Sequence, residues 1–138
     1  MNDKRIFPGL AGENAMRYEI AGQRVPSGRT LTLGTAAVRS PSGCLAAEGE
    51  SGLRLAAGQY LVGFTADAEA DGAVGVGLAL NGVPVGFAQC LLPGAGARSL
   101  SVQAVLPLTG PGTLAPYNNS RGPVVFRNAV LTAVCLGS

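Results

Sequence analysis

Apolar and polar residues alternate along most of this 138-residue chain, and turn residues interrupt the alternation about every 8–12 positions. In the segment 59–68, the side chains of Tyr60, Val62 and Phe64 share one face. Asn81-Gly82 predicts a two-residue hairpin turn, because a type I′ turn needs positive φ at both central residues. No stretch of ten residues shows a convincing 3.6-residue apolar period. The pattern therefore predicts an all-β sandwich or barrel.

The first 28 residues differ from the rest, because proline and glycine break them into short pieces. We predict an arm or linker over residues 1–28 and one domain over residues 29–138. An extended arm can add a strand to the exposed sheet edge of a neighbouring subunit. The apolar side chains that would make this contact are Ile6, Phe7, Met16, Tyr18 and Ile20.

The last predicted strand is apolar on both faces. Alternation places Phe126, Val130, Val134 and Leu136 on one face, and Ala129, Leu131, Ala133 and Cys135 on the other. A two-layer sandwich covers only the inner face of each sheet from within the chain. The outer face of this strand therefore predicts contact with another copy of the chain.

A second indication of close packing comes from Gly75 and Gly77, in a predicted strand over 73–80. Glycine leaves no side chain over the sheet, which is costly unless another group approaches the backbone closely. Close packing by another chain and a simple excess of alanine and glycine explain this pattern about equally well.

Composition narrows the possible functions. Charged residues make up 13% of the chain and the net charge is +2, too little for the clustered basic surface of a nucleic-acid-binding protein. So low a charge also indicates that copies of the chain cover much of the surface. The sequence has no histidine, which excludes Ser-His-Asp and Cys-His catalysis, and its single lysine is Lys4. We therefore predict that the protein is not an enzyme and uses no cofactor.

Residues 72–97 carry no charge and are long enough to span a membrane. They alternate with a period of two and contain Asn81-Gly82, Pro84 and Pro93, so we predict no membrane insertion. The N-terminus lacks the continuous apolar stretch of a classical secretory signal peptide.

Three acidic residues, Asp67, Glu69 and Asp71, have the one-three-five spacing and following glycine of a calcium-binding loop. The position that must supply the bidentate carboxylate of such a loop is Leu78. The spacing therefore favours a solvated acidic turn, and a weak surface calcium site is the alternative.

Cys44, Cys90 and Cys135 have no CxxC spacing, and without histidine they match no zinc motif. The pattern favours small apolar residues in strands. An odd set also allows one disulfide with a spare thiol, or a link between chains, for which Cys135 near the C-terminus is the best candidate.

Four segments resemble motifs of a known family. Segment 57–64 is similar to a strand of the tumour-necrosis-factor-like and complement-globular-head jelly rolls. Segment 76–85, with its Leu-Asn-Gly hairpin, resembles their bacterial branch, which includes the C-terminal domains of spore-exosporium collagen-like glycoproteins. Segments 114–120 and 128–134 resemble the end of the same domains. The resemblance covers roughly residues 30–136.

The resemblance implies a two-sheet antiparallel jelly roll of about 8–10 strands that assembles as a tight homotrimer, with the closing strand near the threefold axis. The position of Arg127 in that strand allows three roles: it pairs with an acid of a neighbouring chain, it lines the axis, or it extends to solvent as an ordinary strand-end arginine. The expected trimer interface comprises Tyr60, Gly75, Gly77, Arg127, Ala129, Leu131, Ala133 and Cys135.

Family members are non-enzymatic heads of extracellular or spore-surface fibres, which implies a structural self-assembly module in a bacterial spore-surface or extracellular layer, fibre or appendage. The collagen-like stalk of such proteins is absent from this sequence, and the predicted arm stands in its place. The alternative is a trimeric binding head that recognises a protein or glycan through rim loops at residues 66–72, 92–98 and 109–123.

Overall fold

The computed structural model describes residues 15–38 and 44–137, and all regular secondary structure in these two ranges is β. The strands are β1 (Ala15–Ile20), β2 (Gln23–Val25), β3 (Ala36–Val38), β4 (Leu45–Glu48), β5 (Gly52–Leu55), β6 (Gly58–Ala70), β7 (Val74–Leu80), β8 (Val83–Leu92), β9 (Gly96–Leu108), β10 (Gly112–Tyr117) and β11 (Val124–Gly137).

The strands form two antiparallel sheets. Sheet A has the order β3-β1-β11-β6-β9, and β2 also pairs with β11. Sheet B has the order β4-β5-β10-β7-β8. Most neighbours within a sheet are distant in sequence, so the chain passes repeatedly from one sheet to the other. The predicted all-β sandwich is confirmed, and its described part has more strands than expected because short strands were missed.

The inner faces of the two sheets form one continuous core. On β6, alternate side chains from Tyr60 to Ala68 are buried, which confirms the face predicted from the alternation. Phe64 and Phe126 meet edge to face at 6.5 Å between ring centroids. Burial of such large apolar side chains provides most of the driving force for folding.

The hairpin between β7 and β8 has the predicted turn. Asn81 and Gly82 both have positive φ, at 54° and 79°. A type I′ turn requires this conformation, which asparagine and glycine adopt at low cost. The turn fixes β8 as the outermost strand of sheet B, next to β7.

The predicted arm over residues 1–28 is corrected for its described part. Met16, Tyr18 and Ile20 are buried, and β1, which carries them, pairs with β11 along its whole length. These side chains alternate with exposed Arg17 and Glu19, so they belong to the core of their own protomer. Two other predicted arm contacts, Ile6 and Phe7, lie outside the described residues.

The predicted faces of the last strand are also corrected. The pairing between β11 and β6 shifts by one residue between Arg127 and Val130, and Asn128 has a φ of 52°. Such a bulge reverses which alternate positions point inward. Phe126 therefore shares the inner face with Ala129 and Leu131, and the outer face of the strand is formed by residues such as Val130 and Val134.

Candidate self-association interface

The outer face of sheet A carries an apolar row that crosses four strands. Cross-strand pairing aligns Ala15, Val134, Leu61 and Val105 on β1, β11, β6 and β9. Leu136 extends this row near the end of β11 and is 51% exposed. We call these five residues the sheet patch. Nothing within the described part of the protomer covers the outward half of Val105, which is 52% exposed.

The opposite end of the same face is polar. Arg127 pairs with Glu69 at 3.2 Å, and the Asn128 side-chain amide donates to Asp67 at 3.0 Å. The predicted interface residue Arg127 thus has an acidic partner within its own chain. Both members of the ion pair are more than half exposed, so the pair contributes little to the stability of the protomer.

The candidate calcium ligands are not brought together. Asp67 and Glu69 lie on the exposed face of β6, and Asp71 lies in the turn that follows. Within residues 15–38 and 44–137, no three Cys, Asp or Glu side chains come together where a metal ion could be held. The geometry therefore favours the solvated acidic turn.

A second apolar surface lies on the edge of sheet B. Val83, Phe87 and Leu91 of β8 are 65%, 64% and 55% exposed, and we call them the edge patch. The pairing of β8 with β7 is irregular between Gly77 and Ala79, so residues 85–88 bulge out of the ladder. Exposed apolar side chains on an edge strand are a typical site of contact with another chain.

The glycines of β7 are covered by the protomer itself. A methyl group at Gly77 would overlap the side-chain amide of Gln89, and one at Gly75 would overlap the Oδ1 atom of Asn119. Gln89 accepts hydrogen bonds from the Tyr117 hydroxyl and the Asn119 amide, both at 2.9 Å. The predicted packing of Gly75 and Gly77 against another chain is corrected, because side chains of the same chain occupy that space.

We expect Gly77→Ala to lower the free energy of unfolding by about 1–3 kcal/mol, because the added methyl displaces Gln89 from its hydrogen bonds. Gln89→Ala removes the obstacle, so the double variant should lose less than the sum of the single losses. Urea unfolding of the three variants measures this coupling. Gly86→Ala is the matched control, since nothing lies near its Cβ position. Strictly additive losses would contradict the packing.

The remaining predicted interface residues lie inside the protomer. Tyr60, Ala129, Leu131, Ala133 and Cys135 are all at most 9% exposed. They point toward sheet B because of the bulge in β11 and the alternation of β6. The prediction that these side chains face a neighbouring chain is therefore corrected. It follows that Cys135 does not present its thiol for a link between chains.

A buried polar cluster holds the rim of the sandwich. The Asn118 amide donates to the carbonyl groups of Val25 and Gly122, both at 2.9 Å, and its Oδ1 accepts from Ser120. Asn118 is fully buried, so these bonds satisfy groups that would be costly to leave unpaired. The cluster fixes the loop after β10 against the segment that follows β2. Asn118 begins the formal glycosylation motif Asn118-Asn119-Ser120, but its burial makes it inaccessible as an acceptor in the folded chain.

The same rim encloses a cavity of about 450 Å³ between the loop after β6 and the loop before β11. Its lining includes Ala70, Asp71, Leu91, Asn119, Arg121 and Pro123. The volume lies within the range of small-molecule sites. The two rim loops predicted at residues 66–72 and 109–123 do therefore meet.

The sequence analysis missed the edge patch and the sheet-patch positions Leu61 and Val105. The signal was present in β8, where Val83, Phe87 and Leu91 recur every fourth residue. Apolar residues also occupy the alternate positions of this strand, so periodicity alone did not distinguish buried from exposed.

The fold is similar to those of several solved structures. The S. frugiperda Eiger TNF structure superposes with a TM-score of 0.74 at 17% identity, covering 89% of this chain and 92% of that one. The structure of rabbit GITRL superposes with a TM-score of 0.60 at 12% identity, covering 89% of this chain and 93% of that one. The globular domain of zebrafish complement 1qA protein superposes with a TM-score of 0.59 at 14% identity, covering 89% of this chain and 97% of that one.

At these identities the similarity concerns the fold, which is the jelly roll of TNF-like and complement globular domains. No protein-family model and no curated protein matches the sequence. In the part of the chain that the structure describes, no helix is long and apolar enough to cross a membrane.

Proposed function

We propose that this protein is a non-enzymatic structural module that self-assembles into a homotrimer. The observation that carries the proposal is that two separate apolar surfaces, the sheet patch and the edge patch, remain exposed on a protomer whose two sheets already enclose a core. Within residues 15–38 and 44–137, the large apolar side chains with more than half of their surface exposed belong to these two patches.

Two different patches favour head-to-tail contact. A dimer with twofold symmetry buries both patches only if they lie within one continuous interface. When the sheet patch of one copy packs on the edge patch of the next, both are buried, and a rotation of one third of a turn between successive copies closes the arrangement into a ring of three. Three copies is the number implied by the resemblance to TNF-like and complement-globular-head jelly rolls.

Low charge supports the same proposal. Only 13% of the residues are charged. The Arg127–Glu69 ion pair lies at the end of sheet A away from the sheet patch, whereas the exposed Arg17 lies two positions from Ala15 on the same face of β1. The five residues of the sheet patch carry no charge themselves, so an interface built on them desolvates few formal charges. The sequence offers no histidine for catalysis, and the polar rim cluster is fully occupied by internal hydrogen bonds.

We extend the proposal to a bacterial spore-surface or extracellular layer, fibre or appendage, as the resemblance to the bacterial branch implies. Residues Ile6 and Phe7, outside the described ranges, are the remaining candidates for a link between trimers. An N-terminal segment that docks on the sheet edge of a neighbouring trimer would convert closed rings into an open array.

A second candidate function is a trimeric head that binds a protein or glycan at its rim. The rim cavity of about 450 Å³ supports it, with Asp71 and Arg121 as polar groups at its wall. Among the described residues that line the cavity none is aromatic, whereas sugar sites usually present an aromatic face. Self-assembly therefore ranks first.

Molar mass in solution tests the proposal. Size-exclusion chromatography with light scattering should give about 41 kDa, three times the 13.8 kDa of one chain, at micromolar concentration. A molar mass equal to that of one chain at that concentration would contradict the proposed trimer. A mass of two chains would likewise contradict the trimer and favour a symmetric dimer.

A further inference from the structure

Two thiols from opposite sheets meet at one end of the sandwich. Cys44 directly precedes β4 in sheet B, and Cys135 lies on β11 in sheet A. Tyr60 connects them, because it is the cross-strand neighbour of Cys135 and its hydroxyl donates to the Cys44 carbonyl at 3.1 Å. A second bond from this hydroxyl, to the Ala56 carbonyl at 2.8 Å, fixes its position.

The two thiol groups are neighbours. Burial raises the pKa of the Cys135 thiol, the nearby Cys44 side chain raises it further, and Cys44 packs against the core that contains Cys135. Cys90 lies elsewhere, on β8, which is the opposite edge of sheet B from β4. The sequence did not indicate which two of the three cysteines could pair. The topology places Cys44 and Cys135 together and Cys90 apart from them.

We propose that Cys44 and Cys135 form a disulfide within one protomer that joins the end of β11 to the start of β4. Both thiols belong to the same chain, so the inference does not depend on self-association. The reaction needs an oxidant, for which we name a low-molecular-weight disulfide such as oxidised glutathione.

The exchange proceeds in two balanced steps. The thiolate of Cys44, the more exposed of the two, attacks one sulfur of the oxidant, forming a mixed disulfide and releasing one small thiol. Cys135 then loses its proton and attacks the Cys44 sulfur, which forms the protein disulfide and releases the second small thiol. Two electrons and two protons pass from the cysteines to the oxidant. Burial raises the pKa of the Cys135 thiol, which lowers the fraction of thiolate available for the second step at neutral pH.

The bond would close a loop of about 90 residues, which strongly restricts the unfolded chain in the chain-entropy description. We expect the thermal unfolding midpoint of the oxidised protein to lie on the order of 10 °C above that of the reduced protein. The bond would also fix the end of β11, next to Leu136 of the sheet patch.

Thiol counting and peptide mapping of the full chain test the proposal. After incubation with oxidised glutathione and removal of excess oxidant, the thiols accessible in denaturant should fall from three to one. Trypsin places the cysteines on separate peptides, 40–54, 55–98 and 128–138. The expected product is a link between peptides 40–54 and 128–138 that dithiothreitol breaks. A link that includes Cys90, a covalent dimer of chains, or three persistent thiols would overturn it.

Matched variants separate the pair from general thiol oxidation. After the same oxidation, Cys90→Ser should have no free thiols. Its thermal unfolding midpoint should rise as much as that of the unmodified sequence. Cys135→Ser retains Cys44 and Cys90, and we expect it to form only mixed disulfides with glutathione and to show no increase. An equal increase in Cys135→Ser would contradict the proposal. The peptide map of the unmodified sequence decides the question even where a variant folds poorly.

Discussion

Val134→Arg should convert the proposed trimer into a folded monomer of about 13.8 kDa. Val134 lies in the middle of the sheet patch, aligned with Ala15 and Leu61 on the neighbouring strands. A guanidinium at this point would be taken out of water without a partner, which costs several kcal/mol at each contact. On the isolated protomer it reaches solvent, because Val134 is on the outer face. Light scattering gives the mass, and circular dichroism checks the fold.

Two further variants make this experiment specific. Thr109→Arg introduces the same side chain in the exposed turn between β9 and β10, and should leave the trimer intact. Phe87→Arg disrupts the edge patch at a residue that is 64% exposed on the protomer, and should also give monomers.

Mixing the two monomeric variants tests the head-to-tail contact. Val134→Arg keeps an intact edge patch and Phe87→Arg keeps an intact sheet patch, so one productive contact per pair remains. The mixture should form a heterodimer of twice 13.8 kDa, whereas each variant alone stays monomeric. A Val134→Arg chain that remains trimeric would place the interface elsewhere.

The second large effect concerns the core. Phe126→Ala should lower the free energy of unfolding by about 3–5 kcal/mol, a large part of the total for a domain of this size. Phe126 is completely buried, and its ring packs edge to face on Phe64. Truncation removes this contact and leaves a cavity that the two sheets cannot close. Urea unfolding at a fixed protein concentration measures the loss, since association would add its own concentration dependence.

The conservative variant Phe126→Leu keeps most of the volume and should cost less than about 1.5 kcal/mol. The pair of variants also tests the bulge in β11, because without the bulge Phe126 would share the outer face with Val130 and Val134. A loss of less than about 1 kcal/mol on truncation to alanine would mean that Phe126 points to solvent and that the face assignment is wrong.

The alternation of apolar and polar residues predicted the buried face of a strand correctly where apolar residues dominate only one of its two faces. On β6 the buried side chains are those that the alternation indicated, and the Asn81-Gly82 turn has the predicted conformation. Alternation failed in β11, where apolar residues occupy both faces and a single bulge residue, Asn128, reverses their direction. It failed for β1 as well, because its pairing with β11 joins segments more than a hundred residues apart.

The sequence by itself determined that this chain is a β sandwich with little charge, no histidine and more apolar surface than one core can use. These properties depend on residue type and on nearest neighbours along the chain. Only the tertiary structure decided that Gln89 and Asn119 cover the glycines of β7, and that Cys44 meets Cys135. It also located the two apolar patches, since the exposed face of a strand is set by bulges and by pairing between distant segments, which leave no periodic signal in the sequence.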